Sequence, residues 1–272
     1  MTDKKLGGKT VFKSKIALLA LACMLALLAT PHASAALISG SQLNVNGAAN
    51  VGATFLNWNC NAPGGPATCP ANPSTGAATG DFGVSDSNGT FAQYNGTFGF
   101  VTDTNNTTAP LNTPFSIPDF ITFALNTNET IQLTFIPLGT DTPSTTCAGL
   151  AHCTPEIGDG LITPTNPLGL SAFNLDQNGT GTAASFGVMG TIHDSSGASA
   201  EITGTYTAQF NNENPQQVLG MFAAAGTSGL PSTYSAQWSF TTVPEPMTMS
   251  LMGAGLLGLG LLGSRRRRQS NK

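Results

Sequence analysis

Hydrophobic and polar residues alternate over several stretches in the middle of the chain. From Glu201 to Phe210, apolar or small side chains occupy every second position and polar side chains occupy the positions between them. The same alternation runs from Thr233 to Thr241. Because successive side chains of a strand point to opposite faces, this period predicts β-strands with one buried face. Shorter segments of the same kind are Ile131–Phe135, Ile121–Leu125 and the pair Leu43 and Val45.

Turn sequences separate these segments. Asn-Gly pairs suit the positive backbone φ angles of tight hairpin turns, and Ser-Ser-Gly is a further turn sequence. We therefore expect neighbouring strands to pair antiparallel through short links. The turn sequences are Asn88-Gly89, Asn95-Gly96, Asn178-Gly179 and Ser195-Ser196-Gly197.

One helix is predicted between the last two alternating segments. Asn214 can act as its N-cap, Pro215 suits the first turn, and Gly226 can end it. The residues that share its apolar face are Val218, Leu219 and Phe222. The helix is expected to lie across an end or a face of the sheets.

Together these elements predict a mainly β domain over residues 37–242. We expect a two-sheet antiparallel β-sandwich of roughly eight to ten strands, with a jelly-roll order as one form of it, and a single short helix. Two passages rich in Pro and Gly, Asn61–Gly80 and Thr140–Pro167, are expected to be long loops.

The N-terminal residues 1–36 have the organisation of a secretory signal peptide. Five lysines up to Lys15 precede an apolar core from Ile16 to Thr30, and the small residues Ala33-Ser34-Ala35 follow. Signal peptidase requires small residues at its cleavage site, so we expect cleavage after Ala35 or Ala36. The domain that follows is then exported.

The C-terminal residues 243–272 combine three elements. Val243, Pro244, Glu245 and Pro246 precede an uncharged apolar run over 247–263, and a basic, polar tail over 264–272 follows. At 1.5 Å per residue the run makes a helix of roughly 25 Å, enough to cross a thin hydrocarbon core. The tail contains Arg265, Arg266, Arg267 and Arg268, which favour the cytoplasmic side and stop transfer.

This order of elements resembles the PEP-CTERM sorting signal of Gram-negative bacteria. In this chain Pro244-Glu245-Pro246 stands before the apolar run and the arginines, as the signal requires. The resemblance implies recognition by exosortase, which is thought to cut near the motif and to release or transfer the protein to the cell surface or the exopolysaccharide matrix. It covers only the C-terminal segment and implies nothing about the fold of residues 37–242. A plain C-terminal membrane anchor with a proline-rich hinge is the alternative.

Charge is distributed unevenly. All ten Lys and Arg lie at or before Lys15 or at or after Arg265. Of the 14 Asp and Glu, all but Asp3 and Glu245 lie within residues 37–242. The exported domain therefore has acidic residues and no basic residue. Nucleic acid is disfavoured as a partner because phosphate contacts require Lys or Arg. Acidic charge can keep a secreted protein soluble or attract divalent cations, and solubility is the simpler interpretation.

The exported domain contains four cysteines, which suggests disulfides in a translocated chain. Three pairings are possible, and the short separations favour Cys60 with Cys69 and Cys147 with Cys153. A metal site with His152 beside Cys153 is disfavoured because it lacks the paired spacing of structural zinc sites. No metal or cofactor is predicted.

Catalytic patterns are weak. The sequence contains neither a G-x-S-x-G elbow nor an H-E-x-x-H motif, and His193-Asp194 at a strand end is expected to flank a turn. The turns Asp86-Ser87-Asn88-Gly89 and Asp176-Gln177-Asn178-Gly179 contain oxygen ligands for Ca²⁺, but Asp before Asn-Gly is also ordinary turn chemistry. We therefore predict that the protein is not an enzyme.

Three hypotheses follow, in order. The first is a non-enzymatic protein of the cell surface or the exopolysaccharide matrix. The second is a carbohydrate-binding module, which requires exposed aromatic residues such as Trp58; Tyr206, Tyr234 and Trp238 are expected in the core. The third is a secreted hydrolase, which requires two carboxylates or a His-centred pair that converge in a pocket.

Overall fold

The computed structural model describes residues 40–52, 54–62, 64–158, 161–194 and 197–240. The predicted signal peptide over 1–36 and the predicted sorting segment over 243–272 lie outside the described residues. The fold below is therefore that of the predicted exported domain.

Strands make up most of the described structure. The strands are β1 Gln42–Val51, β2 Phe55–Trp58, β3 Thr79–Val84, β4 Phe98–Thr102, β5 Thr104–Asn105, β6 Ile117–Phe123, β7 Thr130–Phe135, β8 Pro143–Ser144, β9 His152–Pro155, β10 Asn174–Asn178, β11 Gly181–His193, β12 Ser199–Phe210 and β13 Leu230–Phe240. The helices are α1 Pro215–Ala225 and the 3₁₀ segments Gly89–Tyr94 and Gly226–Ser228. The prediction of a mainly β protein with one short α-helix is confirmed within these residues.

Eight of the strands form a closed antiparallel barrel. Their order around it is β12, β13, β1, β3, β4, β6, β7 and β11, and β11 pairs again with β12. The pairings are all antiparallel. The predicted two-sheet β-sandwich is therefore wrong. The alternating pattern identifies strands and their buried faces, but it does not say whether the two edge strands of a twisted sheet meet.

Along one of its edges, each of two barrel strands pairs with two different strands in succession. These extra pairings connect the remaining strands to the barrel. The first half of β11 pairs with β10 and the second half with β7, so β10, β9 and β8 continue outward from the barrel. On β1, Val45–Gly47 pair with β3 and Ala49–Val51 pair with β2, which in turn pairs with β5. We call β8, β9 and β10 the side sheet.

The barrel interior is filled by the apolar positions of the alternating segments. On β12 and β13 the predicted inward residues are buried, and the residues between them are exposed or half-buried. Ile131, Leu133 and Phe123 are also buried, but Leu125 is 66% exposed because β6 ends two residues before it. The largest fully buried side chains are Trp238, Tyr94, Phe82, Phe91, Phe120, Phe123 and Phe240.

The turn predictions have mixed outcomes. Asn178-Gly179 lies at the tight hairpin between β10 and β11, where Asn178 pairs with Gly181 and Gly179 has a φ of 62°. β11 and β12 also form a hairpin, with Gly197 at a φ of 85°. By contrast, Asn88-Gly89 and Asn95-Gly96 flank a 3₁₀ helix. In each of the three pairs the glycine has a positive φ and the asparagine does not, and the pair does not determine the length of the connection.

Helix α1 begins and ends where the sequence predicts. The Asn214 side chain accepts a hydrogen bond from the Gln217 backbone, and the Gln217 side chain accepts one from the Asn214 backbone, which is a capping box. Val218 and Phe222 are buried. The Phe222 ring lies 5.7 Å from Phe210, the last residue of β12, so the helix, which connects β12 to β13, packs on the end of β12.

Among the described residues, none of the helices has both the length and the apolar character needed to cross a membrane. The predicted membrane helix over 247–263 lies outside those residues.

Candidate functional site

Three side chains that can bind a metal converge on the side sheet. His152 of β9 pairs directly with Asp176 of β10, and Nδ1 of His152 lies 2.6 Å from Oδ1 of Asp176. Asp141 approaches from the loop before β8. One ligand atom from each of the three residues lies within 4.8 Å of the others. We call Asp141, His152 and Asp176 the Asp-His-Asp cluster.

Polar contacts hold the Asp141 loop against the side sheet. The backbone N–H of Asp141 donates to Oγ1 of Thr154, 2.9 Å away, and the backbone N–H of Thr140 donates to Oδ1 of Asn174, 2.8 Å away. The Thr154 hydroxyl donates to the same Asn174 oxygen at 2.8 Å. Asn174 and Thr154 lie on β10 and β9, so the strands that carry Asp176 and His152 also position Asp141.

Gly139 allows this loop to lie close to the strands. A Cβ atom at this position would lie 2.7 Å from both Oδ1 of Asn174 and Oγ1 of Thr154, which is too close. The backbone N–H of Gly139 donates to the Ser171 carbonyl oxygen at 2.9 Å. Because only glycine fits here without displacing these atoms, residue 139 helps to place Asp141.

The cysteine pairs are those that the short separations favoured. Cys60 and Cys69 form one disulfide, and Cys147 and Cys153 form the other. Cys147 and Cys153 are buried, and the second pair closes the loop that leads into β9 next to His152. Disulfides persist in oxidising compartments, which agrees with a location outside the cytoplasm.

The electrostatic environment of the Asp-His-Asp cluster is strongly acidic. Burial raises the pKa of the Asp141 carboxyl above its ordinary value, and the neighbouring Asp176 carboxylate raises it further. The hydrogen bond to Asp176 raises the pKa of His152. The described part of the chain contains no Lys or Arg, because all of these residues lie at or before Lys15 or at or after Arg265.

One carboxylate oxygen of the cluster has no donor. Oδ2 of Asp141 is buried from solvent and makes no hydrogen bond. Buried carboxylate oxygens are normally paired with a donor or a cation. The cluster can therefore bind a proton or a cation. Its ionised carboxylates accept hydrogen bonds but cannot donate them.

Sequence reasoning did not find this site. It considered His152 only beside Cys153, and it considered Asp176 only within the turn Asp176-Gln177-Asn178-Gly179. Asp141 carried no local signal because its role depends on a contact with strands that are distant in sequence. A search for His and Asp on neighbouring strands needs the pairing of β9 with β10, which sequence periodicity does not supply.

The other candidate residues have structural roles. Trp58 is 5% exposed, and its Nε1 donates to the Thr102 carbonyl oxygen at 2.9 Å, so it cannot form a sugar-binding platform. Tyr206, Tyr234 and Trp238 are buried, as predicted. The Asn88 side chain accepts a hydrogen bond from the Gln42 backbone, as expected of a turn residue.

His193 and Asp194 each contact residues at strand ends or in a turn. Nε2 of His193 lies 3.3 Å from Oε1 of Gln132, while Oδ1 of Asp194 accepts a hydrogen bond from the Ala198 backbone at 2.8 Å. Both contacts belong to the ends of strands and to the β11–β12 turn. This agrees with the turn-flanking role expected for His193-Asp194.

The outer face of β4 carries two aromatic side chains. Phe98 and Phe100 point away from the barrel interior, are half-buried, and have ring centroids 5.7 Å apart. They line a surface groove together with Pro70 and Thr122. The carbohydrate-binding hypothesis expected an exposed aromatic surface at Trp58, and the structure has one here instead.

The predicted sorting residues Val243, Pro244, Glu245 and Pro246 lie outside the described residues, and so do Arg265, Arg266, Arg267 and Arg268. Comparisons with models of protein families, with curated proteins and with solved structures found no match. The class of the domain is therefore defined by its own architecture, a closed antiparallel barrel with a filled apolar core and a disulfide-bonded side sheet.

Proposed function

We propose that this chain is an exported protein of the cell surface or the extracellular matrix of a Gram-negative bacterium, sorted by exosortase. The order of Pro244-Glu245-Pro246, the apolar run over 247–263 and the arginine cluster supports this proposal. Signal peptidase removes residues 1–36, and the C-terminal helix anchors the protein in the membrane until exosortase cuts near the motif.

The observation that carries the proposal is the position of the last strand. β13 ends at Phe240, three residues before Val243, and it pairs with β1 along its length. All the strands of the barrel therefore precede the motif. A cut at Pro244-Glu245-Pro246 would remove none of the described strands.

The two ends of the described domain also support a tethered intermediate. Gln42 at the start of β1 pairs with Ser239 near the end of β13, and the backbone N–H of Gly40 donates to the Phe240 carbonyl oxygen at 3.1 Å. Both ends of the domain therefore leave the barrel at the same place. This position of the two ends is compatible with a domain that signal peptidase cuts at its N-terminal end while a membrane helix holds its C-terminal end.

The role of the exported domain in this proposal is structural or interactive and not enzymatic. The Asp-His-Asp cluster is the one described arrangement that resembles the convergent groups required of a hydrolase. The His152 side chain is 67% exposed, however, whereas small-molecule sites are clefts or cavities that bury most of the bound molecule. Display on the surface, with contacts to exopolysaccharide, requires no such cavity.

The proposal is tested by intact-mass analysis of both termini of the protein from cells with and without exosortase. We expect an N-terminus after Ala35 or Ala36 and, only with the enzyme, a C-terminus near Pro244–Pro246. The double variant Pro244→Ala with Pro246→Ala should keep Lys272, whereas Pro231→Ala, at an exposed residue of β13, should be processed normally. An unprocessed wild-type chain ending at Lys272 in the presence of active exosortase would show a plain membrane anchor instead.

A second candidate function is carbohydrate binding in the exopolysaccharide matrix. It is favoured by Phe98 and Phe100 on the outer face of β4, since half-exposed aromatic rings can stack on sugar rings. A glycan array should then show binding that Phe100→Ala abolishes and that Ile162→Ala, an exposed apolar residue elsewhere, leaves unchanged. Equal binding by both variants would exclude this surface.

A further inference from the structure

We propose that Asp141, His152 and Asp176 bind one divalent transition-metal ion, for which Zn²⁺ is the probe. This inference is independent of the proposed sorting function, because it depends only on the described residues of the side sheet. It assigns a ligand to a site that the sequence did not predict.

The spacing of the ligand atoms suits a shared ion. One nitrogen or oxygen atom from each residue lies within 4.8 Å of the other two. Zn²⁺ lies about 2.0–2.2 Å from such atoms, which places tetrahedral ligands about 3.4 Å from one another. His152 and Asp176 are directly paired and more than a third of each side chain is exposed, so these two side chains have room to rotate toward that geometry.

A second observation points to a cation between these groups. Oδ2 of Asp141 is buried and has no hydrogen-bond donor, although it belongs to a carboxyl group that faces Asp176 and His152. The described residues include no Lys or Arg that could neutralise it. A metal ion would satisfy this oxygen and would separate the two carboxylates.

The supporting contacts position the ligands before any ion binds. Oδ1 of Asn174 accepts hydrogen bonds from the Thr140 backbone and the Thr154 side chain, which brings the Asp141 loop onto β9 and β10. The Cys147–Cys153 disulfide closes the loop that contains His152 and so restrains the backbone on both sides of it. Contacts of this kind orient metal ligands and reduce the entropy lost on binding.

The ligand types indicate which ion is favoured. Imidazole nitrogen suits Zn²⁺ and other first-row transition metals, whereas Ca²⁺ and Mg²⁺ are bound mainly by oxygen. Three protein ligands leave at least one coordination position for water on the exposed side of the site. The cluster should therefore prefer Zn²⁺ to Ca²⁺.

Calorimetric titration with ZnCl₂ tests the proposal. The full chain is exported so that its disulfides form, and it is purified without a polyhistidine tag. We expect one Zn²⁺ per chain, with affinity reduced about tenfold or more in His152→Gln and in Asp176→Asn. The control His193→Gln, which changes the other histidine of the described residues, should bind as the wild type does. A titration with CaCl₂ should show weaker binding.

Nuclear magnetic resonance gives a measurement that does not depend on variants. Zn²⁺ should shift the imidazole ¹⁵N resonances of His152 and leave those of His193 unchanged. The proposal is overturned if no 1:1 binding occurs at about 1 mM Zn²⁺, if His152→Gln binds as tightly as the wild type, or if Ca²⁺ binds more tightly than Zn²⁺. A shift confined to His193 would also overturn it.

Discussion

Trp238 of β13 lies directly opposite Gly204 of β12, and its indole ring fills the space that a side chain at position 204 would occupy. A Cβ atom at Gly204 would lie 2.5 Å from Cδ2 of Trp238. The barrel interior therefore accommodates its largest side chain by placing the smallest residue across from it. Tyr234 and Gly47 repeat this arrangement between β13 and β1.

Gly204→Ala should therefore destabilise the barrel. The added methyl group overlaps a fully buried indole ring, so we expect the free energy of unfolding to fall by about 1–3 kcal/mol. Gly187→Ala on neighbouring β11 is the matched control, because its nearest atom would lie at 3.5 Å, an ordinary contact. Urea denaturation followed by tryptophan fluorescence measures both. If the two substitutions have equal effects, then Trp238 does not limit the size of the side chain at position 204.

Gly220→Ala should stabilise helix α1. Gly220 lies inside the helix, and a Cβ atom there would meet nothing within 4 Å. Alanine has the higher helix propensity, so we expect the free energy of unfolding to rise by about 0.5–1 kcal/mol. Gly226→Ala should have the opposite sign, because Gly226 ends the helix at a φ of 52°. Thermal unfolding of the two variants checks the contrast, and a loss of stability in Gly220→Ala would contradict it.

The protein should be more stable in mild acid than at neutral pH. Burial raises the pKa of Glu129, and the nearby Asp194 raises it further despite the 2.7 Å hydrogen bond from the Tyr94 hydroxyl, which lowers it. The folded state then keeps a proton that the unfolded state releases, so stability falls as pH rises from the ordinary carboxyl pKa to the raised one. The pKa of Asp103 is also raised by burial, and its effect has the same sign.

Urea denaturation at about pH 5 and about pH 8 measures this dependence. We expect the larger free energy of unfolding at the lower pH. Glu129→Gln keeps an acceptor for the Tyr94 hydroxyl but cannot ionise, so it should reduce the difference between the two pH values. Greater stability at the higher pH would show that the burial of these carboxyls does not control the pH dependence.

Trypsin should leave the exported domain uncut even after denaturation and reduction. No Lys or Arg lies between Lys15 and Arg265, so there is no cleavage site within residues 37–242. Mass spectrometry of the digest should show one large fragment that covers the domain. A protease specific for Glu is the control, since Glu129, Glu156 and Glu201 should be cut in the same sample. Internal tryptic fragments would mean that the chain produced differs from this sequence.

The sequence by itself determined the local features of this protein. The alternation from Glu201 to Phe210 identified a strand and its buried face, and Asn214 and Gly226 marked the ends of the helix. The short separations within the cysteine pairs also favoured the two disulfides that the structure contains. These features depend on residues that are close in the chain, so backbone geometry and side-chain periodicity are sufficient to predict them.

Only the tertiary structure decided how the strands are joined and which side chains meet. β11 pairs with β7, β10 and β12, and this closes the barrel where a two-sheet sandwich was expected. The same long-range pairing brings His152 to Asp176 and carries the Asp141 loop to both, while it buries Trp58. These contacts join residues that are distant in sequence, and their free energy depends on the packing of the whole domain, which a local pattern does not contain.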